Sequence, residues 1–498
     1  MNFYQVHFPI LIVSVTLLFS FLIPVFGWWK KKLCYPLAII AISISLFSSL
    51  IVANRVLYHG PIRYYLGGWE PPWGIEFYID HLNALMVVLV TSISLLVLIS
   101  SKKSIEKELP DKDVPFYSLF LLLFTGLAGI VVTGDMFNLY VFLEIASLSA
   151  YALIAIGEER APYAAFRYVV LGTIGACFYL LSVGYLYIVT GSLNMADLNQ
   201  ILPNLYHSKV VLVAFSFFMI GIAIKMALFP LHVWLPDAYT YAPSPVSSLI
   251  APLMTKVGIY VMIKIMFKVF EPSFSIEMLP VTTILSWVAS IAIIVGCVLA
   301  LAQVDLKRML TYIMVAEVGY IVLGVAMANR NALTGAVLHI VNDALMMACL
   351  FLIVAAIMFK LGIRNIYELR FLHRKMPFTM GAFTIAALSM MGVPPACGFF
   401  SKWYLILGAI DANNWIFVAV ILMSGLFNAI LFFRVIENAY FEPAYAHDGG
   451  EHIEVSRDEA PLSLLIPILI MAVGIILLGI FSGKIISAFI QFIVPVSF

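Results

Sequence analysis

The feature that most limits what this chain can fold into is a succession of apolar runs, each about twenty residues long, from one end to the other. A bilayer-spanning helix needs about 20 predominantly apolar residues. Spans are expected near 8–29, 33–54, 80–101, 115–134, 136–157, 163–190, 209–229, 245–268, 279–303, 309–328, 331–359, 376–410, 413–440 and 461–482. Composition agrees: 63% of the 498 residues are hydrophobic and 11% are charged, whereas a soluble domain is about half apolar and about a quarter charged. The expected fold is therefore all-α, a polytopic membrane protein of about 14 transmembrane helices in one integral membrane domain over residues 1–498. The first run is long enough to span and is followed by Lys30, Lys31 and Lys32, so it reads as a retained helix rather than a cleaved leader.

Basic residues sort the loops. With the N-terminus outside, about seventeen lysines and arginines fall in inner loops, among them Lys30–Lys32, Lys102, Lys103, Arg160, Arg167, Lys307, Arg308 and Arg374. Five fall outside: Arg55, Arg63, Lys209, Arg330 and Lys484. Positive charge concentrates on the cytoplasmic side of membrane proteins, so both termini are expected on the outer face of the cell membrane. Residues 194–205 and 363–371 read as interfacial helices, too short to span. The polar loop 441–460, with Glu442, Asp448, Glu451, Glu454, Asp458 and Glu459, reads as a solvated acidic loop.

Net charge is +1, so no basic field points to nucleic acid. The five cysteines (34, 177, 297, 349 and 397) form no CxxC pair and read as small buried hydrophobes. No GxGxxG, P-loop, GxSxG or metal-spaced His/Cys cluster is present. No cofactor, metal or catalytic centre is therefore expected in this chain, and any electron chemistry would belong to other subunits.

What remains is a set of ionisable residues inside the spans. Each costs about 2.5–3.5 kcal/mol at mid-bilayer on insertion scales, and such residues mark ion pathways or buried pairs. Glu144, Lys225, Lys256 and Lys402 sit mid-span on four separate helices, an arrangement that reads as a relay. The bland alternative is structural pairing. His339 and Asp343 are four residues apart, hence on one helix face, and histidine titrates near neutrality. Glu317 is a further buried carboxylate. Lys264 and Lys268 close their helix and read as interface anchors; Asp305, Lys307 and Arg308 read as an orientation signal in a turn.

Two spans carry breaks: Pro230 and Pro236 follow Lys225, while Pro394, Pro395 and Gly398 precede Lys402. Proline removes a backbone donor and clashes with the preceding turn. Broken helices in corresponding positions of two halves point to a transport site. The breaks are about 165 residues apart, which fits two repeats of five helices. An odd number inverts the second copy. A carboxylate such as Glu144 beside Lys225 would favour the charged lysine, and separating the two would release its proton.

Several strings carry a family resemblance: LGGWEPPWGIEFYIDHLNAL (66–85), FNLYVFLEIASLSAYAL (137–153), GIAIKMALFPLHVWLPDAY (221–239), SPVSSLIAPLMTKVGIY (244–260) and GVPPACGFFSKW (392–403). The chain resembles the antiporter-like subunits of respiratory complex I, Mrp-type sodium/proton antiporters and membrane-bound hydrogenases, and among these it is most similar to the D-type Mrp antiporter subunits. The resemblance implies inverted repeats at helices 4–8 and 9–13, with helices 7 and 12 discontinuous. The parts are then 1–114, 115–270 (first repeat), 279–440 (second repeat) and 461–498. It implies an ion pair between Glu144 and Lys225, Lys256 as connecting lysine, Lys402 as the terminal lysine, and His339 in a central axis. His232 and Asp237 are access candidates in the same long string. Implied partners are small hydrophobic membrane subunits, with iron–sulfur or hydrogenase subunits in a redox host; the transported species are protons and Na+. Two departures stand out. Relatives often read N-H-A-x-x-K where this chain reads NDALMM, placing Asp343 for histidine and Met347 for lysine, and Glu317 replaces a neutral polar residue. A stand-alone secondary carrier and a structural or quinone-binding scaffold are the alternative functions.

Overall fold

The computed structural model describes residues 7–441 and 457–494. Its helices are α1 (Phe8–Trp29), α2 (Cys34–His59), α3 (His81–Glu108), α4 (Asp113–Val132), α5 (Met136–Ala155), α6 (Ala161–Thr190), α7 (Met195–Ile201), α8 (Lys209–Lys225), α9 (Leu235–Tyr241), α10 (Ser244–Lys264), α11 (Val281–Leu301), α12 (Leu306–Ala326), α13 (Arg330–Leu361), α14 (Leu372–Lys375), α15 (Pro377–Met391), α16 (Cys397–Asp411), α17 (Trp415–Tyr440), α18 (Leu462–Ile480) and α19 (Ser482–Ala488). Among the described residues, twelve helices are long and apolar enough to span a membrane. The interrupted pairs α8–α9 and α15–α16 supply the other two of the expected fourteen.

Burial separates the helices into a centre and a rim. α10 and α12 are buried almost throughout, and α13 largely so. The rim helices α1, α6 and α17 keep exposed apolar faces, with Phe21, Phe166, Leu181, Leu426 and Phe433 among their residues. A lipid-facing surface needs no polar cover, so these faces are what a membrane permits. The expected interfacial helix at 194–205 is present as α7 and a 3-10 turn, Leu202–Leu205. At 363–371 the chain instead forms one 3-10 turn, Ile366–Glu368, and turns sharply at Phe371, whose φ is 57°. The acidic loop lies largely outside the described residues; of its carboxylates, Asp458 pairs with Lys360 and Glu459 accepts from the Thr379 hydroxyl. Four cysteines are buried as expected, but Cys177 is exposed on α6.

A two-stranded hairpin was not expected. β1 (Ile62–Tyr65) and β2 (Glu76–Ile79) pair antiparallel, with Ile62 opposite Ile79 and Tyr65 opposite Glu76. The strands are rich in aromatic and β-branched residues. Gly67 and Gly68 take φ of 67° and 79° in the connection, a region that only glycine enters freely.

Matching local structures recur about 170 residues apart. Asp135 caps α5 by accepting from Asn138 N, and Asp305 caps α12 by accepting from Arg308 N. Each aspartate bridges to an asparagine that caps the next short turn, Asp135 to Asn194 and Asp305 to Asn365. Just before those asparagines, Gly191 ends α6 and Gly362 ends α13, both left-handed with φ of 70°. A cation from a later helix then covers the carbonyls near each aspartate. Lys264 Nζ donates to Thr133 O (2.5 Å), and Arg434 donates to Leu301 O (2.9 Å) and Gln303 O (2.8 Å). The two copies lie at opposite ends of α10. Lys264, the last residue of α10, reaches the first, while Lys307 beside Asp305 donates to Ala242 O, just before α10 begins. At 1.5 Å per residue those ends are about 30 Å apart, so five crossings have inverted the second copy.

Candidate functional site: a buried row of charges

α8 ends at Lys225, and residues 226–234 run in turns before α9 starts. Pro230 lies inside this break, where Ala227 takes φ 57°. Pro236 does not break the helix as expected: it sits in the first turn of α9, where a missing N–H costs nothing. In the second broken helix, Gly392 closes α15 with φ 86°, and Pro394 and Pro395 occupy the gap. Gly398 lies in α16 beyond the gap. A Cβ there would overlap Ser389 O, so this glycine lets the two half-helices touch rather than interrupting them.

The breaks free backbone groups near the two lysines. Lys402 Nζ donates to Met390 O (2.6 Å) on the last turn of α15 and lies 4.7 Å from the centre of the Tyr320 ring. Lys225 Nζ donates to Ser147 Oγ (2.8 Å) and to Glu144 Oε1 (3.3 Å), both on α5 and one turn apart. The expected Glu144–Lys225 pair is therefore present, with Ser147 as a closer third member that the sequence did not reveal. Lys225 is buried, whereas the Glu144 side chain keeps 25% exposure and so sits at the edge of the chain.

The centre of the row lies between α10, α12 and α13. Lys256 on α10 and Asp343 on α13 form an ion pair at 2.6 Å, both with no solvent exposure. One turn away on α13, His339 Nε2 meets Glu317 Oε2 of α12 at 2.7 Å, and its Nδ1 meets Ser401 Oγ of α16 at 2.8 Å. Glu317 is also within electrostatic reach of Lys402. Asp343, Glu317, His339, Lys256 and Lys402 thus form one connected group on four helices. Met347, where the family resemblance leads one to expect lysine, is a buried apolar residue one turn further along α13. Between Lys225 and α10 lies a cavity of about 20 Å3, lined by Leu143, Ser147, Val257 and Val261. Its volume is about that of one water.

The access candidates are not joined to each other by a hydrogen bond. Asp237 is clasped by Arg167 of α6 (2.6 Å) and Arg308 of α12 (3.2 Å), tying the two repeats together at the α9 end. His232 is buried in the break, and its Nδ1 has no hydrogen-bond partner among the described residues. Two expectations at helix ends change. Lys264 is 4% exposed and holds Thr133 O, so it is no interface anchor; Lys268 remains partly exposed and pairs with Asp80. Lys307 is likewise buried rather than a surface signal. Among the described residues no three His, Cys, Asp or Glu side chains gather as metal ligands.

The family model described as "NADH:quinone oxidoreductase/Mrp antiporter, TM" matches residues 133–428. The chain belongs to this family. The matched stretch contains every member of the buried row, from Glu144 to Lys402. Among curated relatives, the N-type subunit of an NADH-quinone oxidoreductase from Desulforudis audaxviator is 46% identical over 98% of this chain and 99% of its own length. The D-type subunit of a Na(+)/H(+) antiporter from Alkalihalophilus pseudofirmus is 31% identical over 87% of this chain and 86% of its own. Among solved structures, a chain of a membrane-bound sulfane sulfur reductase, an archaeal respiratory complex, superposes with TM-score 0.89 at 31% identity, covering 98% of each chain. A chain of the Mrp complex from Dietzia sp. superposes with TM-score 0.87 at 23% identity, covering 98% of this chain and 96% of that one. This protein is an antiporter-like integral membrane subunit, and its relatives work inside multisubunit membrane complexes.

Proposed function

We propose that this antiporter-like subunit translocates protons through the buried row, with Glu144, Lys225, Lys256, Asp343, His339, Glu317 and Lys402 as its stations. The observation that carries the reading is the continuity of the row. Three acid–base pairs, Glu144–Lys225, Lys256–Asp343 and Glu317–His339, run across two inverted repeats; a small cavity lies between Lys225 and α10, and the Tyr320 ring lies between His339 and Lys402. A compact carrier site would gather such groups around one substrate pocket; here they are strung out along α5, α8, α10, α13, α12 and α16. Protons enter by one broken helix, cross at mid-membrane and leave by the other. The Lys225 break and His232 supply the first access route. The chain is one membrane domain with repeats over 115–270 and 279–440, set in the cell membrane with both termini outside, as the loop charges favour.

The host is a multisubunit complex with other hydrophobic membrane subunits. A redox-driven complex is the first reading, supported by 46% identity over nearly the full length to a component of an NADH-quinone oxidoreductase. A cation/proton antiporter moving Na+ is the second, supported by 31% identity to a component of a Na(+)/H(+) antiporter. Purification of the tagged chain from its own host separates them: co-purifying subunits with iron–sulfur absorbance identify the first, and small hydrophobic subunits with sodium-dependent proton flux identify the second. The relay itself is tested in the reconstituted complex. Lys225→Ala and Glu144→Ala are each expected to cut proton flux at least tenfold. Full flux in both variants would leave a scaffold as the better description.

A further inference from the structure

The inverted repeats are not equivalent where a cation covers the carbonyls near the capping aspartate. In the second repeat that cation is Arg434, whose guanidinium binds Leu301 O and Gln303 O at 2.9 and 2.8 Å. An arginine keeps its proton under all ordinary conditions. In the first repeat the same place holds Lys264, an amine that can give its proton up. Its ammonium has three N–H groups; among the described residues its one hydrogen bond is to Thr133 O, and it lies 5.6 Å from the Tyr260 ring centre.

Lys264 also opens onto a cavity of about 240 Å3 beneath the β-hairpin, whose walls include Arg63, Glu76, Asp80, Asn199 and Lys268. That space admits several waters. Glu76 is 2% exposed; its Oε2 accepts from Asn194 Nδ2 at 2.9 Å, and its Oε1 has no hydrogen bond, with Arg63 Nε 3.6 Å away. Asp80 spends one oxygen capping α3 and presents the other to Lys268 at 3.6 Å. On the membrane side, Lys264 lies two turns beyond Lys256 on α10, a rise of about 12 Å, with the Tyr260 hydroxyl between them donating to Val131 O.

We propose that the cavity beneath the hairpin is a proton-exchange vestibule, and that Lys264 passes protons between it and the buried Lys256–Asp343 pair. This rests on the relay reading above and gives it a second opening, within the first repeat. In the outward step an N–H bond of Lys264 breaks and the proton goes to vestibule water or to the Glu76 carboxylate. Neutral Lys264 then takes a proton from Lys256 along a short chain of waters past Tyr260, leaving Lys256 neutral until the row recharges it. Asp80, Glu76, Lys268 and Arg63 are the charged groups around the exchange point, and the two carboxylates keep the vestibule hospitable to protons beside three cations.

The test uses the host complex, reconstituted in liposomes containing a pH-sensitive dye and energised by its own electron donor or by a sodium gradient. Flux is normalised to assembled complex. Lys264→Arg keeps the charge and the Thr133 contact and copies the second repeat, so a purely structural lysine would be rescued by it. The expected result is at least a tenfold loss in both Lys264→Arg and Lys264→Met, and a several-fold loss in Glu76→Gln, which retains an acceptor for Asn194. Wild-type flux in Lys264→Arg overturns the proposal and leaves a fixed capping cation. Lys225→Ala, measured alongside, separates the two failures: if it is inactive while Lys264→Arg is active, only the vestibule fails; if it is active, the relay falls and the vestibule with it. A second readout needs no transport. In a Cys177→Ser background, Asn199→Cys is expected to react with a charged methanethiosulfonate from the hairpin side of sealed vesicles, and absence of labelling from that side overturns the open vestibule.

Discussion

Asp343→Asn should be among the most damaging conservative changes in the chain. Asparagine keeps the size and shape of the side chain, so no cavity forms, but it leaves the Lys256 ammonium without its counter-charge at a site with no solvent exposure. The pair stands at 2.6 Å. At an effective dielectric of about 20 the attraction is about 6 kcal/mol. Desolvation has already offset part of that, and removing one partner of a buried pair costs about 3–5 kcal/mol. The Lys256→Met, Asp343→Asn double variant removes both charges and should recover most of the loss, because no charge is then buried alone. The assay is the apparent melting midpoint in mild detergent at one scan rate, since membrane subunits unfold irreversibly. Asp343→Asn should melt several degrees lower than the native chain, with the double variant between them, while neither supports proton flux. A single variant as stable as the native chain, or a double variant worse than the single, would refute the assignment of a charged Lys256–Asp343 pair.

Ser147→Ala removes the closer of the two partners of Lys225 and keeps Glu144, so proton flux should fall several-fold yet stay above that of Glu144→Ala in the same vesicle assay. Gly398→Ala forces a Cβ onto Ser389 O, an overlap that the backbone must open to relieve; with overpacking at about 1–3 kcal/mol, the melting midpoint and the Lys402-dependent flux should both drop. Burial pushes the Asp135 carboxyl above the ordinary aspartate range, with the Asn138 N–H acting against it. A raised folded value means the folded state holds the proton more tightly, so this group favours folding in acid and loses that advantage as pH rises through the folded value. Asp135→Asn keeps the cap without the charge and should melt higher than the native chain at pH 7, with the gap closing in acid; Asp135→Ala should lose about 1 kcal/mol.

The spans were legible because the bilayer imposes a length and an apolar content that few other pressures produce. Helix starts at Phe8, Met136 and Lys209 fall on or within a residue of the expected positions. The breaks were legible as breaks, but proline alone did not say which side of the gap each residue would occupy, and Pro236 and Gly398 proved to belong to the helices that follow. The Glu144–Lys225 pair was expected from the family resemblance; Ser147 was hidden because a serine in an apolar helix commonly bonds its own backbone. The pairing of Lys256 with Asp343, and of His339 with Glu317, depends on which faces of α10, α12 and α13 meet. Helical spacing puts His339 and Asp343 on one face and cannot name what stands opposite. Lys264 and Lys307 were misread for a physical reason: position near a helix end normally lets a lysine snorkel to water, but here each reaches a carbonyl inside the bundle.

The two carboxylates that depart from the pattern the family resemblance implies change meaning once their neighbours are known. Counted along the sequence, Asp343 and Glu317 make the axis more acidic. In the fold, each stands against a base: Asp343 against Lys256, Glu317 against His339 with Lys402 within reach. Two lysines face two carboxylates, so these four side chains balance in charge. In the proposed relay a proton added at either end would create an imbalance that moves it onward, because an uncompensated charge is costly at this depth. In the proposed relay His339, bonded on one nitrogen to Ser401 and on the other to Glu317, would accept on one side and release on the other. Met347, one turn beyond Asp343 on the same face, is apolar, so in the proposed relay the row turns from Asp343 to its ion-pair partner Lys256 on α10. That turn brings the row onto the helix that carries Lys264, which is why the first repeat, and not the second, is the place for an additional opening.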